Sequence, residues 1–92
     1  MKNFKVEIVK IHPENPYVKI YLHKQNEIDK IYSVIEQLLT VNHVNITMNQ
    51  SETRKSLVVY PMETCSAEEM VCEINKALNT FFQKNFYDGR FK

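Results

Sequence analysis

The sequence predicts an α+β fold, a two-layer sandwich whose antiparallel sheet carries two helices on one face, in the order β-β-α-β-β-α. Two observations point there. Several short stretches alternate apolar and polar residues with period two, and two longer stretches repeat apolar residues at i, i+3, i+4 and i+7. Each helix then has one apolar stripe to bury, and both stripes must cover the same side of the sheet. The 92 residues make one domain, spanning 1–92, with a core of modest size.

The first strand is read at Phe4 to Ile11, with Val6 and Ile8 at period two. Pro13, Asn15 and Pro16 break regular structure between it and the next run, which suggests a hairpin. That next run, Tyr17 to His23, alternates cleanly. Val18, Ile20 and Leu22 point one way, and Tyr17, Lys19, Tyr21 and His23 the other. Asn26 is placed to cap a helix, with Glu27 and Asp29 in its first turn. Ile28, Ile31, Tyr32, Ile35, Leu38 and Leu39 form the apolar stripe of that helix, three to four turns long.

Val44, Ile46 and Met48 alternate with Asn45, Thr47 and Asn49, a half-buried strand. Gln50 to Lys55 is a polar turn. Ser56 to Tyr60 is a continuous β-rich run that suits a central strand, and Pro61 ends it. Ser66 and Glu69 have capping-box spacing. Ala67, Met70, Val71, Ile74, Ala77, Leu78, Phe81 and Phe82 then make the second stripe. Residues 85–92, aromatic and basic, are expected as a short edge strand or a loose tail.

Composition narrows the function. A net charge of +1 gives no overall pull toward nucleic acid or membrane. Charge is uneven along the chain: residues 1–25 hold five Lys against two Glu, whereas 63–73 hold four Glu and no base. No apolar run approaches the roughly 20 residues that a membrane span needs. The start of the chain mixes charge with apolar residues, unlike a secretory signal. Two cysteines, Cys65 and Cys72, are too few for a disulfide scaffold, so a cytoplasmic protein with reduced thiols is expected.

From Tyr17 to about Leu78 the chain resembles the heavy-metal-associated domain family. The resemblance runs through Val18-Lys19-Ile20-Tyr21-Leu22, then Val34, Leu38, Val41 and Val44. It continues through Ser56-Leu57-Val58-Val59-Tyr60-Pro61, Ser66-Ala67-Glu68-Glu69 and Ile74-Asn75-Lys76-Ala77-Leu78. It implies a ferredoxin-like fold. That family holds soft metal ions with a Cys-x-x-Cys pair at the entry to its first helix. Glu27 and Lys30 stand at those positions here, and soft ions need thiolates. The family's metal chemistry is therefore not carried over, and no metal or cofactor is expected. The strand from Phe4 to Ile11 is extra to the family's pattern. Residues 5–39 also resemble the hairpin-plus-helix segment that precedes some LytTR-type DNA-binding domains.

The remaining chemistry is sparse. Cys65 and Cys72 lie wider apart than paired zinc or copper ligands usually do. His12, His23 and His43 fall in or beside different turns and read as surface histidines. One Gly in the chain makes a phosphate-cradling loop implausible, and no nucleophile motif is present, so no enzyme is expected. The informative surface is the open sheet face, with Tyr17, Lys19, Tyr21 and His23 as candidate binding residues and Asn45, Thr47 and Asn49 beside them. Three functions compete. The first is a protein-interaction module that binds a partner or itself, through the open face or a sheet edge. The second is a single-stranded nucleic-acid binder that stacks bases on the same face. The third is a small enzyme or metal carrier.

Overall fold

The computed structural model describes residues 3–11, 14–48 and 54–90, the stretch 84–90 as backbone. Four strands, β1 (Phe4–Val9), β2 (Tyr17–Leu22), β3 (Val41–Met48) and β4 (Lys55–Pro61), form one antiparallel sheet of order β1-β2-β4-β3. Helices α1 (Ile28–Glu36) and α2 (Ala67–Arg90) complete the order β-β-α-β-β-α. Because β4 runs antiparallel to both of its neighbours, β2 and β3 are parallel to each other with β4 between them. Helix α1 is thus a crossover that skips one strand, and β1-β2 and β3-β4 are antiparallel pairs.

Register explains which side chains meet. Val6, Ile20, Leu57 and Ile46 lie in one cross-strand row, and Ile8, Val18, Val59 and Val44 in the next. These rows face the helices. Val18, Ile20, Leu57 and Val59 are fully buried there, against Ile31 and Ile35 of α1 and Met70, Ile74 and Leu78 of α2. Phe4, Val6 and Ile8 pack at the margin of the same cluster, where Phe4 stacks on Phe82 at 5.8 Å between ring centres. Helix α2 therefore lies over the β1 side and α1 over the β3 side. Burying one apolar face of a sheet under two striped helices supplies most of the driving force for such a domain.

The helix ends differ from expectation in instructive ways. Asn26 does not cap α1. Gln25–Glu27 forms a 3-10 turn first, and Glu27 occupies the cap position without a side-chain bond. Gln25 instead reaches across to β4, donating Nε2–H to the Lys55 carbonyl at 3.0 Å and accepting the Lys55 N–H at 2.6 Å. Its amide continues the ladder where β2 has ended. At the other end α1 stops at Glu36. Leu38 N–H donates to the Ile35 carbonyl and Val41 N–H to the Leu38 carbonyl, which turns the chain into β3. Leu39, expected on the apolar stripe, is 92% exposed in that turn.

Helix α2 begins with the Ser66 half of the capping box, the Ser66 hydroxyl accepting the Glu69 N–H at 3.1 Å. It continues through Arg90, where an edge strand or loose tail was expected from residue 85 onward. No Pro interrupts this segment and Gly89 comes only near its end, so each added residue extends an existing hydrogen-bond ladder, which is far easier than nucleating a new element. Residues 91 and 92, together with His12, Pro13, Asn49 and most of the turn expected over Gln50 to Lys55, lie outside the described residues.

Candidate functional site

The sheet face turned away from the helices is built by the same alternation that builds the core. Lys5, Glu7 and Val9 of β1 stand opposite Tyr21, Lys19 and Tyr17 of β2. Lys19 is opposite Val58 and Tyr21 opposite Ser56 on β4, and Val58 and Ser56 are in turn opposite Asn45 and Thr47 of β3. The sequence therefore places Tyr17, Lys19 and Tyr21 correctly on the open face, with Asn45 and Thr47 beside them. His23 follows the end of β2. It is exposed at the rim, its N–H held by the Asn3 carbonyl at 2.9 Å.

Two structural groups emerge on this face. The first is a row of rings. Tyr17 and Tyr60 have centres 5.6 Å apart, and Tyr60 and His43 are 4.8 Å apart, both pairs tilted. Three rings thus bridge β2, β4 and β3, within the range where aromatic pairs attract. Asn45 Nδ2 lies 3.2 Å from His43 Nε2, close enough for a hydrogen bond that holds the imidazole. Sequence reading missed Tyr60 and His43 as members. The available signal was parity. If Leu57 and Val59 point inward, then Ser56, Val58 and Tyr60 must point outward.

The second group centres on Tyr21. Its hydroxyl donates to Glu7 Oε2 at 3.0 Å, and the ammonium groups of Lys5 and Lys19 lie 5.9 and 5.4 Å from its ring centre. Cations over a tyrosine face are attracted by the ring quadrupole. Beyond Tyr21 an open cleft of about 450 Å³ is lined by Phe4, Lys5, Tyr21, Leu22, His23 and Arg54. Arg54 Nη2 is committed within the protein, donating to the Leu22 and His23 carbonyls at 2.8 Å each. The guanidinium thus finishes the end of β2 as a structural clamp.

Metal-ligating and nucleophilic groups do not converge here. Among the described residues no three His, Cys, Asp or Glu side chains gather as a metal site requires. Cys65 is half-buried just before α2, Cys72 is exposed on it, and both are free thiols. Glu27 and Lys30 lie at the entry of α1, the first half-buried and the second exposed. No described helix is long and apolar enough to cross a membrane. No protein-family model matches the chain, and no curated protein is similar to it in sequence.

Proposed function

We propose that this protein is a non-catalytic interaction module that docks a protein partner on its open sheet face. The ring row Tyr17–Tyr60–His43 carries the reading. Its rings are neither packed into the core nor scattered singly. They form one amphipathic strip across three strands, with Tyr21 and Lys19 continuing it on β2. Tyr side chains give large contact areas for little lost rotamer freedom, which is why interfaces favour them. Charge favours protein over nucleic acid as the partner. Lys5 and Lys19 share the face with Glu7, and both ammonium groups sit beside the Tyr21 ring. A surface that gripped a phosphate backbone would be expected to present more basic groups and no central carboxylate.

The finer fold assignment belongs to the same proposal. We read the architecture as ferredoxin-like from β2 through α2, in keeping with the resemblance to heavy-metal-associated domains. The β2-α1-β3 crossover followed by β4-α2 supports this, and β1 adds the edge next to β2. Placement in the cytoplasm is part of the reading too, supported by the free thiols Cys65 and Cys72.

The test is site-directed photocrosslinking in cells. A benzophenone amino acid replaces Tyr60 in one version and exposed Lys30, on the helical side, in another. The expected result is a protein adduct specific to position 60 that weakens when Tyr17→Ala or Tyr21→Ala is added. Tyr21 is 37% exposed. Its truncation is therefore expected to leave the fold largely intact, within about 1 kcal/mol. The same adducts at both positions, or a nuclease-sensitive adduct whose yield falls steeply with salt, would count against a protein partner.

A further inference from the structure

The order β1-β2-β4-β3 leaves two sheet edges, and they are not alike. Edge β1 carries Lys5 and Glu7, and α2 leans on it through the Phe4–Phe82 stack. Edge β3 has the sequence Val-Asn-His-Val-Asn-Ile-Thr-Met, without Lys, Arg, Asp, Glu or Pro. Natural edge strands are usually blunted by charges, prolines, shortness or a covering element. β3 is eight residues long, and its irregularity is confined to the Val41–His43 end. From Val44 to Met48 it pairs regularly with β4, so its other side offers a regular row of backbone donors and acceptors.

Among the described residues, nothing covers the helical side of this edge beyond Val44 either. Ile46 and Met48 lie on the inward face yet are 40% and 55% exposed. Their sequence pattern predicts half-burial, and geometry explains the departure. A nine-residue helix spans only about 13 Å, whereas eight strand residues span about 26 Å. Helix α1 covers Val41 and Val44 and leaves the far end of β3 bare.

We propose that β3 is a self-pairing edge: two copies of this chain join antiparallel through β3 to make one eight-stranded sheet. The occupant is a second copy because the strand complements itself. A two-fold axis at Ile46 sets Ile46 against its own copy, Val44 against Met48 and Asn45 against Thr47. Each pair is apolar with apolar or polar with polar, and no like charges meet, so no cross-strand pair is repulsive. Both exposed apolar side chains then gain partners on the helical side. A contact of this kind is isologous and closes at two copies. It uses the backbone edge of β3 from Val44 to Met48, whereas the ring row lies on the open face and reaches β3 at His43, so either proposal can fail without the other.

The experiment is sedimentation velocity on the full chain over a concentration series, with three samples. The wild type is expected to show reversible dimers. Ile46→Lys and Ile46→Glu each place like charges opposite one another across the axis, and each is expected to raise the dimer dissociation constant about tenfold or more. Mixing the two variants is expected to restore dimers, because opposite charges now meet, and that rescue also shows that the variants are folded. Wild-type protein that stays monomeric into the high micromolar range overturns the proposal. So does a dimer indifferent to both substitutions, which would use another surface. Loss of dimer without rescue by mixing refutes the proposed register at Ile46.

Discussion

At the scale of single residues, burial separates positions that the helical pattern treats as equals. Ile35 and Leu39 both satisfy the spacing of the first apolar stripe. Ile35 is fully buried between α1 and the sheet, whereas Leu39 projects from the turn after the helix. Periodicity tells which way a residue points while the helix lasts, but not where the helix stops. That stop depends on β3 starting at Val41 to pair with Pro61, a tertiary demand that a local pattern does not contain. The two sites should respond very differently to truncation. Ile35→Ala is expected to lose about 2–5 kcal/mol in urea unfolding, the usual range for emptying a packed core position. Leu39→Ala should change stability by less than about 0.5 kcal/mol. Equal losses at the two sites would mean that α1 extends further than described.

At the scale of elements, the face assignments of β2 and α2 were legible because each is consistent with itself over several residues. Val18, Ile20 and Leu22 are buried, and Tyr17, Lys19 and Tyr21 face out. The candidate site was legible only in part. Tyr17 is visible in the alternation of β2, but the other rings of its row, Tyr60 and His43, come from β4 and β3 in no local pattern, and only register brings them together. The same limit applies to Gln25, whose amide pairs with Lys55 across the sheet. Caps are the opposite case, since donor and acceptor lie within one turn. Ser66 holds the Glu69 N–H at the start of α2, so Ser66→Ala should cost about 1 kcal/mol, and Ser66→Asp should recover most of it. Thermal melts of the three proteins check this. An unchanged midpoint in Ser66→Ala would show that the first turn of α2 is held by packing of Ala67 and Met70 instead.

At the scale of the whole molecule, one buried cluster draws on β2, α1, β3, β4 and α2, with β1 packed at its margin. Among the described residues no element has a second core to fall back on, so unfolding should be one cooperative transition seen alike by far-UV dichroism and tyrosine fluorescence. Antiparallel pairing through β3 adds a further consequence. A two-fold axis perpendicular to the sheet keeps both open faces on the same side, so a dimer would present two ring rows together, a geometry suited to gripping a dimeric partner. Pairing also couples stability to protein concentration, because two copies joined through β3 resist unfolding by mass action. The urea midpoint of the wild type should therefore rise as concentration is raised from the low to the high micromolar range. That of Ile46→Lys should stay fixed over the same range, near the wild-type value at low concentration, since Ile46 contributes little to the monomer core. A midpoint independent of concentration in both proteins would leave the cooperative core intact and remove the self-pairing edge. A fixed midpoint for the wild type with a lower one for Ile46→Lys would instead place Ile46 in the fold of the single chain.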